Sequence, residues 1–380
     1  MRRVGLLACA LVACGDASVH SVADAPRETP DAPTGGGVPD GGPTGGGVPD
    51  APIGGGVPDA PTGGSDAGVV AIWYTGVNLA GAEFGDQNLP GTYGTDYIYP
   101  NAGEVDYFVG KGLTIFRIAF RWERLQRALN ADLDATEAGR LDAIVGYATA
   151  AGARVILDPH NYARYHGSLV GSAQVPYSAF ADFWGRLAAR YGPNPRVVFG
   201  LVNEPNTMPT EQWLAAANAA IAAIRGAGAS NLVLVPGNAW TGAWTWSLSW
   251  YGTPNAQVML GVVDPAGNYA YEVHQYLDVD GSGTSPTCVS NTIGVERLTA
   301  FTQWLRDHGR RAFLGELAGG DNVTCRDAVG AMLDHIDANR DRWIGWSWWA
   351  AGPWWGNYFF TLEPSGPVDA PQLQWLLPHL

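Results

Sequence analysis

Lysine is all but missing from this sequence: Lys111 is the only one in 380 residues, and the other 21 basic residues are arginines. Charged residues of both signs make up just 15%, with a net charge of −14. A chain this acidic and this poor in ammonium groups has little with which to neutralise a polyphosphate backbone, so nucleic acid is excluded as a partner. Cysteine is scarce as well; four residues are too few to staple a fold of this length. No apolar run approaches the roughly 20 residues of a membrane span, which excludes a multi-span protein. What is abundant is Gly, Pro and Trp, at 51, 26 and 16 residues, and they are unevenly spread.

Residues 1–13 open with Met-Arg-Arg and continue apolar from Val4 to Ala13, the layout of an export signal. The stretch ends Leu11-Val12-Ala13-Cys14, which resembles the lipobox of bacterial lipoproteins. That resemblance implies cleavage before Cys14 and a lipid on its sulfur, so that membrane association would run through an N-terminal lipid alone. An ordinary signal peptide with an incidental Cys is the alternative. The expected location is exported: at the cell surface or outer membrane with the lipid, secreted without it. Residues 14–68 are read as a linker. Within them Thr34-Gly-Gly-Gly-Val38-Pro39-Asp40 recurs from Thr44, from Ile53 and, truncated, from Thr62. Residues 30–66 hold 13 Gly, 8 Pro and 5 Asp with no aromatic and no basic residue. Such a segment cannot bury enough apolar surface to offset its ordering entropy, and it reads as a disordered, self-repelling tether.

Residues 69–380 carry every Trp and read as one domain. Short apolar runs at 71–78, 113–120, 154–158, 197–203, 232–236, 269–276, 312–316 and 344–349 are continuous rather than alternating, as expected of strands covered on both faces. Helical periodicity lies between them at 133–151, 178–191, 209–225, 292–307 and 326–339, with Gly152, Gly226 and Gly309 as C-terminal caps. A further helix near 241–250 is the weakest of the set. Eight strands alternating with helices over about 300 residues predict an α/β fold, the (β/α)8 TIM barrel. A doubly wound open sheet would want a G-x-G-x-x-G after its first strand, and there is none.

Catalytic groups of such barrels stand where strands end. The strand ends here supply Arg117 and Arg121, Asp158 with His160, Asn161 and Tyr162, Asn203-Glu204-Pro205, the trio Glu272, His274 and Tyr276 at period two, Glu316, and Trp348-Trp349. Two carboxylates with aromatic platforms suit glycoside hydrolysis, which needs neither metal nor cofactor: one acid protonates the leaving oxygen, and the other attacks the anomeric carbon or activates water. Trp240 and Trp354, one in each of two Trp clusters flanking the mouth, are the chosen sugar-binding platforms. His160 and His166 find no third ligand at zinc spacing. Asp278-x-Asp280-x-Ser282-Gly283 begins like a calcium loop, but its twelfth position is Val289, so it reads as a polar turn. No metal and no cofactor are expected.

These segments, quoted in order, are Phe116-Arg117-Ile118, Leu157-Asp158-Pro159-His160-Asn161-Tyr162, Val202-Asn203-Glu204-Pro205, Tyr271-Glu272-Val273-His274-Gln275-Tyr276-Leu277-Asp278, Leu314-Gly315-Glu316 and Trp349-Ala350-Ala351-Gly352. Together they resemble glycoside hydrolase family 5, and are most similar to its secreted endo-β-1,4-glucanases of fungal type. The resemblance covers about 76–352. It implies a retaining mechanism on a β-glucan polysaccharide, with Glu204 as acid/base and Glu316 as nucleophile. It further implies Asn203 on the sugar 2-hydroxyl, Arg117 and Tyr276 on the nucleophile, His160 and His274 in contact with substrate and acid/base, and Trp349 beneath the sugar at the cleavage point. A permanently charged Arg117 should keep Glu316 ionised, whereas burial and nearby negative charge should raise the pKa of Glu204. Glu272 reads as a paired interior acid. Asn203 and Glu204 are adjacent, so a regular strand would point them to opposite faces; a twist or bulge at Glu204-Pro205 is assumed.

Cys9 leaves with the signal, and Cys14 is taken by the lipid. Cys288 and Cys325 then remain, in loops after neighbouring strands six and seven, and an exported protein meets an oxidising environment; a disulfide between them is expected. A monomer is expected. Another β-glycanase on the same machinery, a mannanase or mixed-linkage glucanase, is one alternative. A catalytically silent carbohydrate-binding protein is the other, although it would have no need for two opposed carboxylates.

Overall fold

The computed structural model describes residues 73–380. The signal, Cys14 and the repeat lie outside them. Among the described residues no helix is long and apolar enough to cross a membrane.

Eight parallel strands close into a barrel: β1 (Tyr74–Ala82), β2 (Ile115–Phe120), β3 (Arg154–Pro159), β4 (Val197–Gly200), β5 (Val233–Pro236), β6 (Tyr269–His274), β7 (Ala312–Leu317) and β8 (Trp343–Ala351). Each pairs with the next, and β8 returns to β1. Helices α1 (Ala102–Gly110), α2 (Ala135–Ala150), α3 (Tyr177–Tyr191), α4 (Thr210–Gly226), α5 (Ile293–Asp307) and α6 (Val323–Asp337) follow β1, β2, β3, β4, β6 and β7. The predicted (β/α)8 barrel is thus the fold. Continuous apolar strands are explained by it, since one face packs on the helices and the other fills the barrel.

Helix α1 was not anticipated from the sequence. It is short, yet Asn101 and Glu104 form a capping box at its start. The helix expected near 241–250 is absent; a single helical turn at Asn255–Val258 stands between β5 and β6 instead. Gly242, Thr245, Ser247 and Ser249 favour turns over helix. The loop is closed by side-chain amides: Asn255 accepts from the Asn238 backbone N–H at 2.8 Å and donates to the Asn238 carbonyl at 2.9 Å. Gly152 and Gly309 follow their helices with left-handed φ of 93° and 61°, but after α4 the left-handed residue is Gly228, and Gly226 is still helical.

The inside of the barrel is layered. Ile115, Ile156, Val198, Leu234, Ala270, Phe313 and Ile344, one from each of seven strands, form an apolar plug. Two residues further along each strand the same face appears again. That step brings in Arg117, Asp158, Gly200, Glu272 and Gly315, so a charged layer rests directly on the plug. The active-site mouth lies above it.

Cys288 and Cys325 are disulfide-bonded with Cα atoms 5.2 Å apart. Cys325 lies in the first turn of α6 rather than in a loop, and the Asn322 side chain caps its N–H at 2.9 Å. The bond ties the segment after β6 to the start of α6, on either side of the β7 end that carries Glu316. Closing a loop of 37 residues corresponds to about 4 kcal/mol in the chain-entropy account. Replacing both cysteines by serine is therefore expected to lower the unfolding free energy by roughly 2–4 kcal/mol, read from denaturant midpoints. An unchanged midpoint would show that the crosslink carries no stability.

Candidate active site

Arg117 is the hub. It is fully buried on β2. Its Nη1 donates to Glu316 Oε1 and to Asn78 Oδ1, both at 2.9 Å, and its Nη2 to Asn203 Oδ1 at 2.7 Å. Asp158 Oδ2 lies 3.0 Å from Nη1, and Glu272 Oε1 lies 2.8 Å from Nε. Burial alone would lower the guanidinium pKa, but the fields of Asp158, Glu272, Glu316 and Glu204 outweigh it and raise the pKa. The group is a fixed positive charge.

Glu316 is held on both oxygens, by Arg117 on Oε1 and by the Tyr276 hydroxyl on Oε2 at 2.6 Å. Regular alternation after the inward Gly315 would turn Glu316 outward. The β6–β7 register slips at this point, so that Val273 faces Leu314 and His274 faces Glu316. Such an irregularity re-aims a side chain. Arg117 acts on Glu316 in the expected direction, favouring the carboxylate, but it does not act alone. Burial raises the pKa, against the pull of His274 and Arg117, and the Glu204 charge adds to the rise. Burial thus outweighs the pull of Arg117, a cation that Glu316 also shares with Asp158 and Glu272.

β4 ends at Gly200, before the Asn203-Glu204 pair. Glu204 takes a left-handed φ of 41°, so strand alternation no longer applies and no bulge is needed. Its Oε1 lies 2.8 Å from His274 Nδ1. His274 Nδ1 is also 3.4 Å from Glu316 Oε2, and its Nε2 is 3.6 Å from Glu272 Oε1. Burial would lower the His274 pKa, but Glu316, Glu204 and Glu272 together push it up to about 10. The surrounding carboxylates thus favour the imidazolium form of the ring. One carboxylate oxygen of Glu204, one of Glu316 and a His274 nitrogen lie within 4.8 Å of one another. A cation could be reached by such a trio, but a protonated His274 offers it a proton rather than a lone pair.

Asn203 is fixed from two sides. Its Oδ1 accepts from Arg117, and its Nδ2 lies 3.0 Å from His160 Nε2. His160 in turn places Nδ1 2.8 Å from Asp158 Oδ2, a carboxylate whose pKa falls because Arg117 and His160 overcome the rise from burial. This chain orients His160 with its proton on Nδ1. The His160 and Trp349 rings stack at 5.3 Å and 23°. Trp349 edges onto Trp355 at 5.9 Å, and Trp355 onto Phe84 at 5.0 Å.

Glu204, Glu316, Arg117, His160, Asn203, His274, Tyr276 and Trp349 therefore meet at one mouth. Trp240 and Trp354, in the segments after β5 and β8, are 37% and 42% exposed. The Trp240 backbone N–H donates to the Pro205 carbonyl at 3.0 Å, which ties this stretch of main chain to the residue after Glu204. The Trp240 ring contacts Trp250 at 5.9 Å and Tyr251 at 5.7 Å. Trp354 follows β8, next to Trp355. The Asp278 loop closes on itself: its buried carboxylate accepts the N–H groups of Gly283, Thr284 and Ser285. Sequence reasoning missed Asn78, which accepts from Arg117 and donates to the Gly315 and Trp348 carbonyls. The available signal was a lone amide inside the apolar run Val77-Asn78-Leu79.

Two carboxyl groups facing each other across a sugar-sized gap at the mouth of a parallel barrel define a glycoside hydrolase. The comparisons give the family. The model for Cellulase (glycosyl hydrolase family 5) matches residues 77–352, and the chain belongs to that family. It is 47% identical over 293 residues to endo-beta-1,4-glucanase B of Aspergillus niger, covering 77% of this chain and 85% of that protein. An endo-beta-1,4-glucanase structure from Xanthomonas axonopodis pv. citri superposes with a TM-score of 0.80 at 47% identity, over 81% of this chain and 98% of that one. XacCel5A in complex with cellopentaose gives 0.80 at 45% identity, over 82% and 100%.

Proposed function

We propose that this chain is a retaining endo-β-1,4-glucanase that hydrolyses cellulose or related β-glucans, with Glu316 as nucleophile and Glu204 as acid/base. The separation of the two carboxylates carries the reading. Oxygens within 4.8 Å fit direct attack by one carboxylate; an inverting enzyme needs roughly 6.5–9.5 Å for an intervening water. In the first step Glu316 bonds to the anomeric carbon while Glu204 gives its proton to the departing glycosidic oxygen. In the second, Glu204 takes a proton from water, which attacks the same carbon and frees Glu316. Arg117 and Tyr276 hold the attacking carboxylate, and Asn203 presents its amide to the 2-hydroxyl. His160 and Trp349 form the wall of the sugar site at the cleavage point. The endo-glucanase relatives and the neighbour that holds cellopentaose support a β-1,4-glucan as substrate.

The proton donor must stand beside the leaving half of the polymer. Trp240, tied to Pro205, therefore belongs to the aglycone side together with Trp250 and Tyr251, and Trp354 belongs to the opposite rim with Trp355. Trp240→Ala and Trp250→Ala are each expected to lower kcat/KM on soluble cellulose about tenfold, the worth of one aromatic contact of ~1.4 kcal/mol. Both should leave an aryl β-cellobioside, whose aglycone is small, within about twofold. Equal losses on both substrates would remove them from the aglycone site.

Residues 1–13 would act as an export signal, with a lipid on Cys14 and residues 14–68 as the tether that carries a monomeric barrel, 69–380, away from the membrane. The test of the central reading is reducing-sugar release from carboxymethyl cellulose, mixed-linkage glucan and mannan, with the anomer of the first product followed by NMR. Cleavage of cellulose with initial β-product supports it. Cleavage of mannan alone, or an initial α-product, overturns it.

A further inference from the structure

Glu272 takes no part in the reaction as derived, yet the strands are cut to fit it. Alternation puts it in the charged layer above the plug, with Arg117, Asp158, Gly200 and Gly315. It is 1% exposed, so no substrate can touch it. Gly315 immediately precedes Glu316, and a Cβ there would lie 2.3 Å from Glu272 Oε1 and 2.9 Å from its Cγ. The glycine of the Leu314-Gly315-Glu316 motif is therefore explained by the acid on the neighbouring strand. Three buried polar atoms, Arg117 Nε, Glu272 Oε1 and His274 Nε2, face one another without any other hydrogen-bond partner. They meet as charge contacts of 2.8 and 3.6 Å.

We propose that Glu272 is a positioning residue for the acid/base: its carboxylate holds the Nε2 side of His274 and the Nε of Arg117, and so keeps the other ring N–H, on Nδ1, aimed at Glu204. This rests on the reading of Glu204 as acid/base. The groups facing His274 are Glu204 after β4, Glu316 on β7, Glu272 on its own strand, and the more distant charges of Arg117 on β2 and Asp158 on β3. The loop after β5 contributes only backbone, the Thr241 carbonyl and the Ala243 N–H. His274 Nδ1 and Glu204 Oε1 lie 2.8 Å apart, so that a proton between them belongs to the pair. That proton serves the leaving group, and the pair binds it more tightly for every negative charge nearby. Glu272 is the nearest such charge that neither touches substrate nor changes during the reaction, so it is free to set how far into alkali the pair stays loaded.

The experiment is the pH profile of kcat/KM on cellohexaose for Glu272→Gln, which keeps the shape and removes the charge. The alkaline limb is expected to move about one pH unit towards acid, with kcat/KM at the acid plateau held within about fivefold. A limb that coincides with wild type, or an equal loss at every pH, overturns the proposal. Should Glu272→Gln fail to fold, Glu272→Asp keeps the charge and withdraws it by one methylene. It is expected to move the limb the same way by a smaller amount, and an unmoved limb overturns the proposal there too. The underlying assignment is read separately, from azide rescue of Glu204→Ala. Rescue with an unmoved limb in the Glu272 variants sinks this proposal alone, whereas absence of rescue sinks the assignment beneath it.

Discussion

Glu316→Gly is expected to lower kcat on β-1,4-glucan by on the order of 10⁴-fold, about 5.5 kcal/mol of transition-state stabilisation. The size follows from what is lost. Among the described residues Glu316 is the only carboxylate that receives both the Arg117 guanidinium and the Tyr276 hydroxyl, at 2.9 and 2.6 Å, so its oxygen lone pairs are fixed relative to the bound sugar. Pre-organisation of that kind is the largest share of an enzyme's advantage over solution. Glycine removes the nucleophile and leaves a cavity beside Arg117, where a small anion can bind. Added azide should then attack from the side that Glu316 occupied and release an α-glycosyl azide, while Glu204 still protonates the leaving group. Measurement of kcat with and without azide, and NMR of the product anomer, decide the matter. Full activity in Glu316→Gly, or a β-azide product, would remove Glu316 from the nucleophile role.

The chemistry of this site was written in the sequence more clearly than its geometry. Strand ends rich in Glu, His, Asn and Arg, spaced as a barrel spaces them, were enough to gather Glu204, Glu316 and Arg117 at one mouth. Periodicity also located all eight strands, because strands covered on both faces are apolar without interruption. Three features were hidden, each for a physical reason. The slip between β6 and β7 that turns Glu316 inward depends on pairing between strands, and no single strand records it. The left-handed φ of Glu204 is imposed by the turn after β4 on a residue type that seldom adopts it. The loop at 241–250 is instead closed by hydrogen bonds from the Asn255 side chain to the Asn238 backbone, a pairing across 17 residues that local sequence does not show. Charge was the hardest to read. From a list of residues Arg117 belonged to Glu316; in the fold it is divided among three carboxylates, and burial, which no list shows, raises the pKa of Glu316 against it.

Glu204→Ala separates the two steps of the reaction. Loss of the acid matters in proportion to how badly the leaving group needs a proton. On cellulose, whose leaving alcohol is a poor one, kcat/KM is expected to fall by about 10³–10⁴-fold, the range of general acid catalysis. On 2,4-dinitrophenyl β-cellobioside, whose phenolate leaves unaided, kcat/KM should stay within about tenfold of wild type, because Glu316 and its Arg117 and Tyr276 contacts are intact. The second step still needs Glu204 as base, so the glycosyl-enzyme accumulates; kcat and KM on the dinitrophenyl substrate should drop together, with a burst of dinitrophenolate equal to the enzyme present. Azide needs no base. It should restore turnover by attacking the ester from the side that water would use, giving a β-glycosyl azide, the opposite anomer to that expected from Glu316→Gly. Geometry requires this opposition: the two carboxylates close on the same anomeric carbon from either side of a gap with oxygens within 4.8 Å, so emptying one position admits an anion on one face and emptying the other admits it on the opposite face. Equal losses on the polymer and the activated substrate, or the same azide anomer from both variants, would mean that Glu204 and Glu316 do not act as an opposed pair.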